Sequence, residues 1–438
     1  MQATAIILAA GLGTRMKSAL PKTLHRLAGR SMLRHLIGSC EQIFDRIVVV
    51  LGPGMDAVRQ EAAPHLCVGQ HERLGTAHAA LQAVEAFGDG LVAVLYADNP
   101  LIRPTTLRRL LETTERSGFG LLAFRPAVAG RYGRVVTDPD GLVERIVEYV
   151  DATPTERAIG LCNAGVLCSP SDRMRTLLQG VRNDNAKGEY YLTDVVALAR
   201  AAGQSVVAIE APADELAGIN SRAELAQAEA VLQGWLRDAA MDAGVTMTDP
   251  SSVFLCADTK LSPDVTIEPN VVFGPGVIVA SNVLIRAFSH IEGASIGPGS
   301  IVGPFARLRP GTTLEQDVHV GNFVEVKATT LAAGVKANHL SYLGDASVGA
   351  RTNIGAGTIT CNYDGTNKHR TTIGADVFVG SDVALVAPVT IGDGAILGAG
   401  SVITDPVEAD ALALARGRQV QKPGRAKQMR ASALQGKK

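Results

Sequence analysis

The second half of this chain repeats an aliphatic residue every six positions. The repeat runs through Val265, Val271, Val277 and Val283, through Ile296, Val302, Leu308, Leu314, Val320 and Val326, and through Ile373, Val379, Leu385, Ile391, Leu397 and Ile403. Neither a helix nor an ordinary strand keeps this spacing, whereas a hexapeptide parallel β-helix requires it. Each hexad would form one side of a triangular coil with its aliphatic residue pointing inward. Aromatic residues make up only 4% of the chain, as expected for a prism core too narrow for Phe or Trp.

The first half has the pattern of a different fold. Apolar runs at 5–8, 47–51 and 91–95 alternate with helical patterns at 33–43 and 105–114, which predicts a mainly parallel α/β sheet. One long helix should follow, opened by Ser221 with Glu224 and ended by Gly244. We therefore expect a domain at 1–220, a linker helix at 221–245, and a prism domain with a basic C-terminal tail at 246–438.

Charge and composition exclude several classes of protein. The 42 Lys and Arg residues balance 43 Asp and Glu, so no bulk field attracts nucleic acid or an anionic membrane. No apolar run approaches the roughly 20 residues of a spanning helix. Residues 5–10 run straight into a glycine loop, as a strand would, and the six cysteines form no C-x-x-C pair. We expect a cytoplasmic protein with reduced thiols and no nucleic-acid or membrane partner.

A glycine loop follows the first predicted strand. Gly11 and Gly13 in LAAGLGTRM (8–16) let the backbone approach a phosphate, while Arg15 and Lys22 bring positive charge. By itself a Gly-x-Gly turn is more often an ordinary strand-to-helix connection. The loop is neither G-x-G-x-x-G nor a Walker sequence, which argues against a dehydrogenase and a P-loop ATPase.

The six-residue repeat fails at one place and ends in a basic tail. The insert CNYDGTNKHRTT (361–372) breaks the period, and such insertions usually collect on a binding face. Residues 416–438 carry eight Lys or Arg and no acidic residue. Such a charge run is usually a solvated tail, and Arg416, nearest the prism, is the best candidate for a further role.

These motifs together resemble a known family. L-A-A-G-x-G-T-R-M with a following P-K at 21–22 is similar to the signature of sugar-phosphate nucleotidyltransferases. With the prism, essentially the whole chain resembles the bifunctional N-acetylglucosamine-1-phosphate uridyltransferase/glucosamine-1-phosphate acetyltransferases. Further matching motifs are Gln70 with LGT (74–76), YGR (132–134), IVE (146–148), GEYYLTD (188–194), FARLRP (305–310) and NIGAGTITCNYD (353–364).

The resemblance implies the fold and the overall activity. The fold would be α/β, with an N-terminal Rossmann-like nucleotidyltransferase domain, a long connecting helix and a C-terminal left-handed parallel β-helix. The left hand comes from the resemblance, because general crossover rules favour the right hand. By this resemblance, the protein would make UDP-N-acetylglucosamine for peptidoglycan and lipopolysaccharide synthesis. It would be a homotrimer, with the acetyltransferase site lying between neighbouring prisms.

For the uridyltransferase half, the resemblance implies a Mg²⁺-dependent attack of a sugar 1-phosphate on the α-phosphate of UTP, with pyrophosphate leaving. Arg15 and Lys22 would be catalytic, and Asp98 and Asn220 would bind Mg²⁺. Asp98 also follows a predicted strand end, where α/β sheets bind ligands, and Mg²⁺ needs only one or two protein oxygens. As a residue before Pro100, however, Asp98 could equally be part of a turn. Nucleotide and sugar would be bound by Leu8, Ala10, Gly11, Lys22, Gln70, Gly75, Thr76, Gly133, Glu148, Asn163 and Asn220.

For the acetyltransferase half, the resemblance implies His339 as the general base on glucosamine 1-phosphate. An imidazole with a reference pKa of about 6.5 suits this role, and Glu325 could orient His339 or hydrogen-bond the amine. The acceptor would be held by Arg309, Lys327, Tyr342, Asn353, Asn362, Tyr363 and Lys368. Acetyl-CoA would be held by Ala356, Asn362, Tyr363, Ser381, Ala399 and Arg416, with the Ser381 region donating to the oxyanion.

Some residues depart from the family pattern, and three alternatives stay open. Ala97 and Ala164 replace Gly and Thr, and Tyr149 with Val150 stands where a lysine is expected, which puts sugar selectivity in question. One alternative is a single-activity nucleotidyltransferase whose prism only oligomerises. Another is a non-catalytic assembly subunit of the same plan. A third, a metal-dependent anhydrase, requires three convergent histidines, which the spacing of the nine His does not suggest.

Overall fold

The computed structural model describes residues 2–435 of the 438-residue chain. These residues form two compact units, which divide between Leu236 and Arg237. The division falls inside a 21-residue helix, Arg222–Asp242, in the segment that the sequence predicts to be a linker helix.

The N-terminal unit is built on a mainly parallel sheet. The strands of the unit are β1 (Ala3–Leu8), β2 (Arg26–Leu27), β3 (Arg30–Ser31), β4 (Arg46–Leu51), β5 (Leu66–Gly69), β6 (Leu91–Tyr96), β7 (Gly120–Phe124), β8 (Arg134–Thr137), β9 (Val143–Val147), β10 (Cys162–Pro170) and β11 (Val207–Glu210). Of these, β2 and β3 form a separate antiparallel pair outside the main sheet. The strand order is β11-β7-β10-β6-β1-β4-β5, β10 is antiparallel to both of its neighbours, and β8 pairs with β9 and β10.

Helices cover both faces of this sheet. They are α1 (Met32–Cys40), α2 (Asp56–Ala62), α3 (Thr76–Leu81), α4 (Pro104–Ser117), α5 (Pro154–Arg157), α6 (Ser171–Gly180), α7 (Asp194–Ala201), α8 (Ala213–Leu216) and α9 (Arg222–Asp242), which continues into the second unit. Along β1, Ala5 and Ile7 belong to one buried cluster and Ile6 belongs to the other. The strand is therefore buried on both faces, which is why its sequence is continuously apolar.

The C-terminal unit is a stack of short strands. They are β12 (Thr246–Met247), β13 (Lys260–Leu261), β14 (Thr266–Ile267), β15 (Val272–Phe273), β16 (Ile278–Val279), β17 (Leu284–Ile285), β18 (His290–Ile291), β19 (Ala294–Ile296), β20 (Ile301–Val302), β21 (Arg307–Leu308), β22 (Thr312–Leu314), β23 (His319–Asn322), β24 (Glu325–Lys327), β25 (Thr330–Leu331), β26 (Lys336–His339), β27 (Tyr342–Gly344), β28 (Ala346–Val348), β29 (Asn353–Ile354), β30 (Ile359–Cys361), β31 (Thr371–Ile373), β32 (Phe378–Val379), β33 (Ala384–Val386), β34 (Val389–Ile391), β35 (Ile396–Leu397), β36 (Val402–Ile403) and β37 (Leu412–Ala413).

Three parallel sheets form the sides of a prism. The first face runs β12-β14-β17-β20-β23-β26-β29-β32-β35-β37, the second runs β13-β16-β19-β22-β25-β28-β31-β34, and the third runs β15-β18-β21-β24-β27-β30-β33-β36. One coil takes about eighteen residues, as when Arg307 pairs with Glu325, whereas Asn353 pairs with Phe378 across the coil that holds the insert. All sixteen aliphatic residues of the predicted repeat are buried. The predicted left-handed parallel β-helix is confirmed.

One corner of the prism carries bulky apolar residues in an unfavourable backbone conformation. Phe288, Phe305, Phe323 and Leu340 follow one another up the corner between the first and third faces, with φ from +50° to +59° and side chains 45–62% exposed. Adjacent rings stack with centroids 4.9 and 5.2 Å apart. Other rungs of this corner use Asn270, Gly357, Asp382 and Gly400. A left-handed backbone costs an L-residue roughly 1–2 kcal/mol, so neither the local conformation nor burial in this chain favours bulky apolar residues here. We call the exposed surface formed by Phe288, Phe305, Phe323 and Leu340 the corner ladder.

The basic tail lies at the surface. It contains a helix, α10 (Arg425–Gln435), which the sequence analysis did not predict, and residues 416–433 are exposed. Lys437 and Lys438 of the predicted basic tail lie outside the described residues. Within residues 2–435, no helix has both the length and the apolar character needed to cross a membrane.

Shortening one aliphatic side chain of the prism core should destabilise the C-terminal unit. Leu308 is fully buried, so Leu308→Ala should lower the free energy of unfolding by about 2–5 kcal/mol through lost burial and a cavity. Leu412→Ala, at an exposed position, is the matched control and should change it by less than about 0.5 kcal/mol. Urea denaturation followed by circular dichroism measures both values. Equal effects of the two substitutions would contradict the assignment of Leu308 to the core.

Candidate active sites

A cleft of about 340 Å³ opens at the carboxyl ends of β1, β5 and β6. This is the edge at which α/β sheets usually bind ligands, because the loops that follow parallel strands meet there. The cleft brings together eight of the predicted residues, which are Leu8, Ala10, Gly11, Lys22, Gln70, Gly75, Thr76 and Asp98.

A lysine joins the two residues predicted to bind metal. The Lys22 ammonium lies 2.5 Å from Asp98 Oδ2 and 3.0 Å from Asn220 Oδ1. The two oxygen-bearing segments are also tied through the backbone, since the Ile219 N–H donates to the Asp98 carbonyl at 2.9 Å. Residues that are 122 positions apart in the chain therefore point their oxygens at one positive group.

This donor set suits Mg²⁺. One carboxylate and one amide oxygen already converge on a cation, and Mg²⁺ typically takes one or two protein oxygens and leaves its other positions to water and phosphates. Within residues 2–435, no three His, Cys, Asp or Glu side chains are grouped so as to hold a metal ion. Asp98 and Asn220 would therefore suffice as the protein ligands of a phosphate-bound Mg²⁺.

Gly75 lies where the motif at 74–76 packs against the motif at 188–194. It has φ +131°, and a Cβ at this position would overlap the backbone of Tyr190. The neighbouring Thr76 accepts a hydrogen bond from the Leu192 N–H at 2.9 Å, and the Ala77 N–H donates to the Tyr190 carbonyl at 2.9 Å. The motif at 188–194 therefore packs directly on the glycine turn that lines the cleft.

Gly133, Glu148 and Asn163, to which the family resemblance assigns the acetamido sugar, lie close together. The Asn163 N–H donates to the Gly133 carbonyl at 2.9 Å, and a Cβ on Gly133 would lie 3.6 Å from Glu148 Oε1. Burial raises the pKa of Glu148, while Lys187 and a hydrogen bond from Thr193 lower it by smaller amounts. Lys187 supplies positive charge here, although no lysine directly follows Glu148.

The family departures near the cleft are buried. Ala97 lines the cleft and Ala164 lies in the core. A Cβ at Gly165 would overlap the ring of Tyr96, so the glycine that follows Ala164 lets this ring pack closely. Burial raises the pKa of Tyr96, with Glu148 adding to the effect, and the phenol is therefore neutral.

Arg15 does not line the first cleft, where eight of the predicted residues meet. It is exposed and lines a second cleft of about 520 Å³, which Asn220 and Tyr132 also line. Its predicted catalytic role stays a prediction. Sequence reasoning instead missed Arg73, which lines the first cleft and donates from Nε to the Ala10 carbonyl at 2.8 Å. Its position in the polar loop between Gln70 and Gly75 is the sequence feature that could have identified Arg73 as a cleft residue.

In the C-terminal unit, polar residues of the predicted acceptor site lie on the third face. Arg309 Nη1 donates to Glu325 Oε1 at 2.8 Å, and Glu325 pairs with Tyr342 on the next coil. A Cβ on Gly344 would overlap the Tyr342 hydroxyl, so the glycine makes room for this phenol. Arg309 and Tyr342 thus share one face although 33 residues separate them. Asn353 lies on the first face, where it pairs with Lys336.

The insert folds back beside this face as a short hairpin. Tyr363 and Lys368 form an antiparallel bridge, and Asn362 Nδ2 donates to Asp345 Oδ2 at 2.5 Å. The Lys327 ammonium lies 3.5 Å from the same oxygen. Proximity to Lys327 lowers the pKa of Lys368, since two ammonium groups repel each other. This local excess of positive charge is suited to a phosphate.

His339 ends β26 at the corner that carries Leu340. Its Nδ1 lies 2.9 Å from Asn322 Oδ1 on the preceding coil. Because the amide oxygen accepts, Nδ1 carries the proton and Nε2 has the lone pair that a general base needs. Glu325, which the sequence suggests could orient His339 or hydrogen-bond the amine, pairs instead with Arg309, and the contact to the imidazole comes from Asn322. A hydrogen bond from the amine to Glu325 stays a prediction.

The residues predicted to contact acetyl-CoA line one corner. The Asp382 N–H donates to the Ala356 carbonyl at 2.7 Å, and the Gly400 N–H donates to the Ser381 carbonyl at 2.8 Å. Arg416 Nη1 donates to the Ala399 carbonyl at 2.7 Å. Small residues on successive coils therefore leave room for an elongated ligand that would reach Arg416, while Asn362 and Tyr363 lie in the hairpin.

Comparisons with known proteins match both units. The profile of the MobA-like NTP transferase domain matches residues 5–161, and that of the bacterial transferase hexapeptide (six repeats) matches residues 370–405. The Bifunctional protein GlmU of Acidiphilium cryptum is 62% identical over 435 residues, covering 98% of this chain and 99% of that protein. This chain belongs to the GlmU family.

Other GlmU proteins are similarly close over nearly their whole length. That of Gluconacetobacter diazotrophicus is 62% identical, covering 100% of this chain and 95% of its own, and that of Granulibacter bethesdensis is 61% identical, covering 98% and 96%. The family resemblance inferred from the motifs is therefore confirmed. The chain is a bifunctional enzyme with a nucleotidyltransferase unit and a hexapeptide transferase unit.

The buried carboxylate of Glu148 should make the N-terminal unit less stable as the pH rises. Its pKa is raised in the folded state, so the stability present when it is protonated is lost as pH rises through the folded pKa. Glu148→Gln mimics the protonated form and should have a higher free energy of unfolding than the wild type at about pH 8, with no difference near pH 4. Urea denaturation at the two pH values measures the change. A difference that does not grow with pH would contradict the burial of this carboxylate.

Proposed function

We propose that this chain makes UDP-N-acetylglucosamine in two reactions at separate sites. The C-terminal unit transfers an acetyl group from acetyl-CoA to the amine of glucosamine 1-phosphate. The N-terminal unit transfers uridylyl from UTP to N-acetylglucosamine 1-phosphate with Mg²⁺, releasing pyrophosphate. The observation that carries the proposal is the Lys22 ammonium held between Asp98 and Asn220 at the wall of a cleft that Gln70 also lines.

Uridylyl transfer requires two mutually repelling anions to approach in line. Lys22 and Arg73 supply positive charge at the cleft, and backbone amides at Gly11 can come close to phosphate because the glycine leaves open space. Asp98 and Asn220 would hold Mg²⁺, which when bound neutralises phosphate charge. No covalent intermediate with the protein is required, since the sugar phosphate attacks the α-phosphate directly and pyrophosphate leaves.

Acetyl transfer requires an amine that has lost its proton. His339 Nε2 accepts that proton, and Asn322 fixes the tautomer in which Nε2 is the free base. The amine nitrogen then forms a bond to the thioester carbonyl carbon, the C–S bond breaks, and the departing thiolate takes up a proton. Arg309, Lys327 and Lys368 would bind the acceptor phosphate, and the corner with Ala356, Ser381 and Ala399 would bind acetyl-CoA.

The second site argues against a nucleotidyltransferase whose prism only oligomerises. An oligomerising prism has no need for two adjacent ammonium groups or for an oriented histidine. Lys327 and Lys368 face each other, and His339 is oriented by Asn322. Asp345 is one carboxylate beside two ammonium groups, so a net positive charge remains there, which favours a phosphate-binding function.

We also propose that the protein is a cytoplasmic homotrimer. The corner ladder supports self-association, because four bulky apolar side chains are exposed on consecutive coils despite unfavourable backbone conformations. Its last member, Leu340, directly follows His339. A neighbouring prism packed on the ladder would therefore also border the acetyl-transfer site, as the family resemblance implies.

The two reactions should be separable by single substitutions. Asp98→Ala should abolish uridylyl transfer, because Lys22 and the metal lose their carboxylate, and it should leave acetyl transfer unchanged. His339→Ala should reduce acetyl transfer by about 10²–10⁴ and leave uridylyl transfer unchanged. Pyrophosphate release and thiol release measure the two activities on the same protein. Loss of both activities in either folded variant would refute the two-site proposal.

Charging the corner ladder should weaken the trimer. Phe323→Glu places a carboxylate among stacked apolar side chains, so desolvation should oppose association. Ile278→Glu, at a similarly exposed position on the second face, is the matched control and should leave the assembly intact. Sedimentation velocity measures the oligomeric state. A trimeric F323E variant would argue against the ladder as the interface.

A further inference from the structure

We infer that His78 is a positioning residue that makes the nucleotide cleft select uracil over cytosine, by holding the Gln70 amide in one orientation. The inference rests on the proposed uridylyl transfer, in which Gln70 contacts the base. His78 does not line the cleft itself; it lies behind Gln70 on α3. Its effect on the nucleotide would pass through the amide.

Gln70 is held rigidly from two sides. It follows β5, its backbone N–H donates to the Leu51 carbonyl at 2.7 Å, and the residue is only 3% exposed. Its Nε2 lies 3.1 Å from the Gly75 carbonyl oxygen and 3.1 Å from His78 Nδ1. The side chain nevertheless borders the cleft.

These contacts decide which end of the amide meets a ligand. A backbone carbonyl can only accept, so the amide nitrogen must face Gly75 and the amide oxygen cannot take its place. A primary amide has two N–H groups, and Gly75 and His78 take one each. Oε1 is therefore the part of the Gln70 amide left for a ligand, and it is a hydrogen-bond acceptor.

His78 must accept at Nδ1 to complete this arrangement. Gln82 Nε2 lies 3.3 Å from His78 Nε2 and donates to the His78 carbonyl at 3.2 Å. A neutral imidazole accepts at only one nitrogen. We assign that role to Nδ1, because it has the shorter contact and because Gly75 independently fixes the Gln70 nitrogen on that side.

A fixed acceptor discriminates between the two pyrimidines at N3. Uracil has an N–H at N3 and can donate to Oε1, whereas cytosine has a lone pair at N3 and would face the amide oxygen acceptor to acceptor. Without His78, only the bond to the Gly75 carbonyl would hold the amide nitrogen, so the rotated amide, which offers an N–H to cytosine, would become less unfavourable than it is with both bonds in place. A polar group fixed in this way usually rejects the mismatched ligand more strongly than it favours the matched one.

The test compares two substitutions of nearly equal size. Asn in place of His78 keeps an acceptor near the Nδ1 position, and Leu removes it. We expect His78→Leu to lower the ratio of kcat/KM for UTP to that for CTP by about tenfold, mainly through KM for UTP. His78→Asn should retain the ratio within about threefold. Steady-state kinetics of the full chain with N-acetylglucosamine 1-phosphate and Mg²⁺ measures kcat/KM for UTP and for CTP.

Controls separate failure of this inference from failure of the proposed function. Gln82→Ala removes the contact on the other side of His78 and should keep the wild-type ratio. If His78→Leu does not fold, His78→Ala serves in its place, because Ala favours helix formation. A wild-type chain without UTP turnover would refute the proposed function. A wild type that turns over UTP but does not prefer it, a Leu variant with the wild-type ratio, or equal losses in the Asn and Leu variants would refute the role of His78 alone.

Discussion

Backbone hydrogen bonds between segments distant in sequence determine where every candidate catalytic group lies. In the C-terminal unit, parallel pairing brings residues about eighteen positions apart side by side, so Asn322 on one coil meets His339 on the next. The same pairing aligns Ala356 and Ser381 along one corner. A change in the length of a coil would shift these residues out of register, which is why the insert loops out of the stack and leaves the pairing intact.

In the N-terminal unit as well, backbone pairing determines where the candidate groups lie. Parallel strands end at one edge, which places the residues after β1, β5 and β6 around a single cleft. The bond from the Ile219 N–H to the Asp98 carbonyl then fixes a late segment of the chain against that edge. Glu224 accepts from the Asn220 N–H at 2.7 Å, so the start of α9 holds Asn220 in place as well.

Much of the fold could be predicted from the sequence, because burial imposes a period on the chain. The six-residue repeat predicted the prism, and continuous apolar runs predicted the parallel sheet. Periodicity does not reveal side-chain partners, so the contact of Asn322 with His339 and that of Glu325 with Arg309 appear only in the structure. The corner ladder could not be predicted from the sequence either, because bulky residues such as Phe305 rarely adopt a left-handed backbone.

At both candidate sites a lysine is paired with an aspartate. With a net charge of −1, the chain has no general attraction for anions, so phosphates must be bound by local groups. At each site a cation is already paired with a carboxylate, Lys22 with Asp98 and Lys327 with Asp345. A phosphate that bound at the proposed sites would exchange one ionic partner for another, and the protein would not have to bury an unpaired charge before the substrate arrives. The same pairing keeps the lysines positioned in the free enzyme, so less side-chain entropy is lost when the substrate binds.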